Sequence, residues 1–206
     1  GTQNTGVGAF ALQSLTTGFR NAAFGDLALP VLTTGNNNVG IGQGAGFQLT
    51  TGNFNCYLGT DSGNSNLTSG NNTGVGAHTL EFCTGASNVA IGASALANDT
   101  AGTTYAANFN VGIGAGAGQN AVGQLNTLVG FQSGFGVTGG TSTFTNTVCE
   151  GYRTGFALTT GGNNCLIGYQ AGLSVTTGNK LVVIGSQAGQ NLIGDTDHVL
   201  IGFQAG

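Results

Sequence analysis

Asn38 to Phe54 reads NVGIGQGAGFQLTTGNF, and variants of this unit recur along the whole chain. A glycine that follows an apolar residue marks the units, and seven of the eleven spacings between these marker glycines are 17 residues. The marker glycines are Gly8, Gly25, Gly42, Gly59, Gly76, Gly92, Gly114, Gly130, Gly151, Gly168, Gly185 and Gly202. A unit this short cannot enclose a core alone, so its copies must stack. The sequence therefore predicts one all-β repeat array over residues 1–206, a parallel β-solenoid of about twelve 17-residue coils, with loop insertions near 97–109 and 136–147.

The composition supports a repeat fold and excludes several other classes. Glycine accounts for 41 of 206 residues while proline occurs once, which excludes collagen. A net charge of −4 and 39% hydrophobic residues are atypical of a disordered chain. With Arg20, Arg153 and Lys180 as the only basic residues, no nucleic-acid partner is expected. No apolar run approaches the roughly 20 residues of a membrane span, so membrane insertion is not expected either.

Alternating apolar residues before each marker glycine predict a short strand with one buried face. The residue just before the marker is predicted to form the core column, whose members are Val7, Phe24, Ile41, Leu58, Val75, Ile91, Ile113, Val129, Ile167, Ile184 and Ile201. The preceding residue is then predicted to point outward, and its later members, which need a partner, are Leu128, Leu166, Val183 and Leu200. Glu150 breaks the core column, which indicates either a one-residue bulge with Cys149 in the core or a buried functional carboxylate.

A further column is polar, because asparagine lies four residues before most marker glycines. Its members are Asn4, Asn21, Asn38, Asn55, Asn72, Asn88, Asn110, Asn126 and Asn164. Stacked at the ~4.8 Å spacing of paired strands, these amides are predicted to form a ladder at one turn. Thr-Thr-Gly, as at 50–52, supplies a second turn. Asn66, Asn71 and Asn98 begin glycosylation sequons, which matter only if the host glycosylates.

The chain offers little for catalysis or metal binding. Its two histidines, His78 and His198, lie far apart in the array, and its seven acidic residues fall mostly in separate coils. The four cysteines contain no Cys-x-x-Cys pair. Cys56 and Cys165 share one repeat position, which favours small core residues over a disulfide or a catalytic thiol. Asp195 and Asp197, with Asn191, indicate either an ordinary turn or a weak calcium site. No enzymatic activity, catalytic residue, metal or cofactor is therefore expected.

Two motifs carry a resemblance to known fibre repeats. NVAIGASAL (Asn88–Leu96) resembles the head repeats of trimeric autotransporter adhesins. NVGIGQGAGFQLTTG (38–52) is similar to the TTGxxNxxxGxxAG repeats in tail-fibre-like proteins of phages, large viruses and some bacteria. The resemblance covers essentially the whole chain, although adhesin heads use a somewhat shorter unit. It implies a left-handed β-roll, three chains packed as a homotrimeric fibre, and a place on an extracellular, cell or virion surface.

These features favour a structural shaft or head segment of an extracellular or virion-surface fibre that supports attachment. The units at both ends stop part-way, which predicts a fragment of a longer fibre or end-to-end stacking into a filament. The alternative is an adhesin module that binds a glycan or host-surface receptor through the inserted loops, with candidate contacts Tyr105, Phe109, Phe135 and Phe144. A third candidate is an ice-binding solenoid built on the Thr-Thr columns.

Overall fold

A computed structural model describes residues 1–98, 104–140 and 142–206. The described residues form twelve strands of three residues each and no helix. The strands are Thr5–Val7 (β1), Ala22–Phe24 (β2), Val39–Ile41 (β3), Cys56–Leu58 (β4), Thr73–Val75 (β5), Val89–Ile91 (β6), Val111–Ile113 (β7), Thr127–Val129 (β8), Val148–Glu150 (β9), Cys165–Ile167 (β10), Val182–Ile184 (β11) and Val199–Ile201 (β12). Each strand pairs in parallel with its neighbours in sequence, so that all twelve form one sheet. The predicted parallel β-solenoid is thus confirmed.

Backbone hydrogen bonds join each coil to the next in register. Val39 pairs with Cys56, and the N–H of Val39 donates to the carbonyl oxygen of Asn55 at 2.8 Å. At the marker position two backbones approach so closely that a Cβ on Gly42 would lie 2.6 Å from the carbonyl oxygen of Gly59. Gly42 also has a φ of +126°, a conformation that residues with a side chain rarely adopt. Glycine is therefore required where the strand ends and the turn begins.

The structure corrects the predicted direction of the strand side chains. In β2 to β11 the middle residue is buried, while the third residue is exposed or half-buried. Leu128 and Leu166 are fully buried, whereas Ile41 keeps 38% exposure. The predicted core column is wrong, because none of its members is buried: Val7, Phe24, Ile41, Leu58, Val75, Ile91, Ile113, Val129, Ile167, Ile184 and Ile201. Successive strand residues face opposite sides, so a one-residue error exchanges the two faces completely.

Two opposing positions of the coil supply much of the interior, together with the residue seven after the marker glycine, which is buried at Leu32 and Leu158. One of the two opposing positions is the middle of the strand and the other lies four residues after the marker glycine. In one coil, the strand position is the small Ala23 and the turn position is the large Leu29, and both are buried. In another coil, the strand position is the large, buried Leu166 and the turn position is Gly172. A Cβ on Gly172 would already lie 3.3 Å from Leu166 Cδ1, so that level has no room for a second large side chain. The two positions therefore compensate each other in volume.

Two coils have glycine at both positions, and side chains from the neighbouring coils fill the space there. In the coil of β7 these residues are Gly112 and Gly118. A Cβ on Gly118 would lie 2.6 Å from Leu96 Cδ2 and 2.7 Å from Leu128 Cδ1. The leucines of the coils on either side thus lean over the gap and keep the core continuous.

The asparagine ladder gives the coil a buried polar edge. Asn38 Nδ2 donates to Asn21 Oδ1 at 3.1 Å and to the carbonyl oxygen of Gly52 at 2.8 Å. Its own Oδ1 accepts from the backbone N–H and the Nδ2 of Asn55 at 3.0 and 3.1 Å. Both donors and both lone pairs of the buried amide are therefore satisfied. Hydrogen bonds of this type link all nine predicted ladder residues to a neighbouring coil: Asn4, Asn21, Asn38, Asn55, Asn72, Asn88, Asn110, Asn126 and Asn164.

Glu150 does not form the predicted bulge. Val148, Cys149 and Glu150 pair in unbroken register with β8 and β10. Cys149 is buried in the core position, as predicted, while Glu150 is exposed because its position belongs to the outer face of the sheet. A carboxylate there keeps its hydration, so it is neither a bulge nor a buried functional group.

Candidate functional site

The outer face of the sheet is a mostly apolar surface. It carries the first and third residue of every strand, since these point away from the core. Third residues are apolar in every strand except β9, and first residues are valine, alanine, cysteine or threonine. Exposed third residues include Phe24, Leu58, Ile91 and Ile113. Twelve strands at about 4.8 Å spacing make this face roughly 53 Å long.

Such a face is typical of an interaction surface. Soluble monomers rarely expose apolar patches of more than a few hundred Å². Among the described strand residues Glu150 is the only charged side chain, and the register places it between Val129 and Ile167. The outer face is therefore a candidate interface that is interrupted by one charge at β9.

A second surface feature is a column of stacked aromatic rings in the later coils. Phe131, Tyr152 and Tyr169 each follow a marker glycine directly. The ring centroids of Phe131 and Tyr152 are 5.6 Å apart, and those of Tyr152 and Tyr169 are 5.3 Å apart, with interplanar angles of 12° and 9°. Arg153 lies over Tyr152 at 5.9 Å and over Phe156 at 4.7 Å. Their shared repeat position was the signal by which this aromatic column could have been predicted.

The residue after each position of the aromatic column is glutamine, except in the coil of β9, where it is Arg153. Gln132 Oε1 accepts from Arg153 Nε at 2.8 Å, and Gln204 Nε2 donates to Gln187 Oε1 at 3.1 Å. The aromatic column itself is interrupted at Ser186 and resumes at Phe203, which is highly exposed. The later coils thus present an aromatic edge with a row of side-chain amides beside it.

The residues predicted to form contact loops are mostly internal, which contradicts that prediction. Tyr105, Phe135 and Phe144 are buried, and only Phe109 is exposed, at 59%. Tyr105 forms a parallel bridge with Cys83, and its hydroxyl donates to the carbonyl oxygen of Leu96. The inserted segments thus supply Tyr105 and Phe144 to the core, whereas Phe109 faces solvent. Residues 99–103 and 141 of the predicted insertions lie outside the described residues.

The cysteines divide between the two faces of the coil. Cys149 is buried, as predicted, and Cys83 is buried as well. Cys56 and Cys165 are half-exposed on the outer face, which corrects their assignment to the core. Burial raises the pKa of the Cys83 thiol to about 11. Burial and the nearby Cys165 also raise the pKa of Cys149. Both buried thiols therefore stay protonated at neutral pH and are poor nucleophiles.

The described residues contain no group of three side chains suited to hold a metal ion. At the position considered as a weak calcium site, Asp195 Oδ1 lies 3.9 Å from His198 Nε2 and Asp197 Oδ1 lies 3.6 Å from Lys180 Nζ. Among the sequon asparagines, Asn71 is exposed, while Asn66 and Asn98 are buried. The last two residues of the Asn98 sequon lie outside the described range.

The Thr-Thr columns use part of their hydrogen-bonding capacity within the array. The hydroxyl groups of Thr16, Thr33 and Thr50 each donate to a carbonyl oxygen of the next coil, at 2.9, 3.0 and 2.8 Å. Thr159 and Thr176 do the same later in the chain. These hydroxyl donors stabilise the stacking and are not available to order water.

Comparison with known proteins found no protein-family model, curated protein or solved structure that matches this chain. Within the described residues, no helix is long and apolar enough to cross a membrane. No pocket opens in this part of the chain either. The apolar outer face and the aromatic column with its adjacent amides are the two candidate functional features of the described residues.

Proposed function

We propose that this chain is a structural segment of a homotrimeric, extracellular or virion-surface fibre that supports attachment. The observation that carries the proposal is the apolar outer face, which runs through all twelve strands in unbroken register. A rod that exposes such a face along its length is stabilised when another apolar surface covers it. The proposed role is mechanical, because the rod holds other parts of the fibre apart.

A second copy of the same chain is the partner that fits this face. All coils stack at one spacing, so copies aligned side by side meet level by level along the entire rod. The face is uncharged except at Glu150, and aliphatic columns need no particular charge pattern opposite them. Three copies with a left-handed coil follow from the resemblance to adhesin heads, in which each chain turns one face to a common axis.

The proposal is tested by placing charges on the outer face. The variant Ile41→Asp with Ile91→Asp adds two carboxylates to exposed third positions of β3 and β6. Burying these charges between copies is unfavourable, so we expect dissociation to single chains that keep the β circular-dichroism signal. The matched control is Leu67→Asp with Ile193→Asp, because these exposed residues lie eight positions after a marker glycine, away from the sheet.

Cysteine labelling gives an independent readout on the same surface. Cys56 and Cys165 lie on the outer face, so we expect them to be protected from maleimide in the wild-type assembly. They should react in the outer-face variant and stay protected in the control. Cys83 and Cys149 are buried within the coil and should remain unreactive in all folded forms. Equal labelling of Cys56 in all three proteins would refute the proposed interface.

A further inference from the structure

The aromatic column is interrupted at one level, between Tyr169 and Phe203. The backbone N–H of Gln187 donates to the carbonyl oxygen of Tyr169 at 2.8 Å, and that of Gln204 to Ser186 at 3.0 Å. Tyr169, Ser186 and Phe203 therefore lie on three successive coils. Each of the three coils before this point places one ring in the column, but Ser186 has no ring. The result is an open notch, here called the Ser186 notch, between Tyr169 and Phe203.

The notch has the dimensions of one ring. Tyr169 and Phe203 are two coil spacings apart, about 10 Å. Rings on adjacent coils stack at 5.3 to 5.6 Å, so a ring inserted at the level of Ser186 would lie at a stacking distance from both neighbours. The three marker glycines here have φ values of +130°, +135° and +132°, so the side chains that follow them leave the backbone in one direction.

The surroundings of the notch are polar but uncharged. Ser186 forms its floor, and Gln170, Gln187 and Gln204 run beside it. The hydrogen bond between Gln204 Nε2 and Gln187 Oε1 fixes two of these amides in line, and each amide retains further donor or acceptor capacity. Tyr169 and Phe203 are 50% and 71% exposed, so their rings are accessible from solvent.

We propose that the Ser186 notch binds the pyranose ring of a neutral glycan. The apolar C–H face of a sugar packs on an aromatic ring, while its hydroxyl groups need both donors and acceptors, which glutamine supplies. A nucleotide would bring phosphates that three basic residues in the whole chain cannot neutralise. This inference does not depend on the fibre proposal, since it uses one chain only.

The test is a titration of isotope-labelled full chain, followed by the NMR signals of the glutamine side-chain amides. The probes are the methyl glycosides of glucose, galactose, mannose and N-acetylglucosamine, with indole as a planar probe that is not a sugar. We expect at least one glycoside to shift the Gln187 and Gln204 signals in a saturable manner. Phe203→Ala, which removes one wall of the notch, should weaken binding at least tenfold.

The decisive variant is Ser186→Tyr, which fills the notch with the ring that neighbouring coils carry. It should abolish glycoside binding while the melting temperature is kept or raised, so that loss of binding cannot come from unfolding. The matched control, Ala115→Tyr, adds a ring beside Phe131 at the other end of the aromatic column and should bind as the wild type does. Wild-type binding by Ser186→Tyr, a response to indole alone, or no response to any probe would overturn the proposal.

Discussion

The earlier and later coils fill the same core from opposite walls. In the coils of β2 and β6, alanine in the strand goes with a leucine after the turn, as in Ala23 and Leu29. In the coils of β8 and β10 the strand supplies the leucine and the turn has glycine, as in Leu166 and Gly172. Tyr57 in β4 is an early example of the second arrangement. The fold therefore constrains the combined volume of the two positions and leaves open which of them is large.

The two regions differ on the outside as well. The residue after the marker glycine is small or polar in the first seven coils and aromatic at Phe131, Tyr152, Tyr169 and Phe203 in the later ones. The backbone conformation at this turn is shared, because the marker glycines have similar φ values in both regions. A constant coil thus carries a variable surface, and the later coils are where recognition is expected.

The largest expected effect comes from exchanging the two core arrangements. Leu166→Ala should lower the free energy of unfolding by about 3 kcal/mol, because it leaves a cavity. Gly172→Leu alone should also destabilise, since its side chain would overlap Leu166. The double variant copies Ala23 and Leu29 and should regain at least half of the loss. Urea unfolding at one protein concentration measures all three, and additive losses would contradict compensation of volume.

The asparagine ladder is unbroken in the earlier coils, whereas Thr147, Leu181 and His198 occupy its position in three of the later ones. Asn38→Ala should lower the free energy of unfolding by about 2 kcal/mol, because buried groups of Asn55 and Gly52 lose their partners. Asn179→Ala removes only a solvent-exposed hydrogen bond and should change stability by less than about 0.5 kcal/mol. Similar melting temperatures for the two variants would show that the ladder is not a stabilising element.

Alkaline pH should weaken the earlier coils through Cys83. Its pKa is raised to about 11 in the folded chain, so the unfolded chain releases this proton first as pH increases. The contribution of Cys83 to the free energy of unfolding is therefore fully present below pH 9. It falls by roughly 2 kcal/mol as pH rises towards 11. Thermal unfolding across this pH range measures how steeply stability falls with pH, and Cys83→Ala should make this decrease shallower. An identical slope in both proteins would assign the loss to other groups, such as Tyr57 and Tyr105.

The smallest effect concerns the two arginines that stack on aromatic rings. Arg153 lies over two rings, Tyr152 and Phe156, whereas Arg20 lies over Phe19 alone at 5.5 Å. Arg153→Ala should cost about 1 kcal/mol and Arg20→Ala about half as much. Melting temperatures compared side by side test the order, and a larger loss for Arg20→Ala would refute the cation–π explanation.

The sequence alone was enough to predict the coil, but not which strand residues point into its core. The 17-residue spacing and the asparagine column predicted stacked coils with a hydrogen-bonded turn, and both are present. The prediction assigned the wrong strand face to the core because the middle and the third residues of the strands are both mostly apolar. By this criterion Ile41 and Leu166 are equally suited to the core. The pairing of Ala23 with Leu29, and of Leu166 with Gly172, would have resolved it, since two positions that compensate in volume must share one interior.

The predicted contact role of the insertions is wrong for a related reason. Aromatic residues in a loop between repeats indicate exposed contacts, yet Tyr105 and Phe144 turn into the core. An array with many glycines and alanines facing inward leaves space, and large side chains from irregular segments fill it. The Ser186 notch escaped prediction because it depends on which rings stack across coils, and stacking becomes visible only when the register is known.

The central claim is that the apolar outer face is covered by other copies of the same chain. Sedimentation equilibrium of the unmodified chain over a hundredfold range of concentration tests it most directly. We expect particles of three chains, which Ile41→Asp with Ile91→Asp reduces to single chains. Single chains of the wild type at every concentration would contradict it.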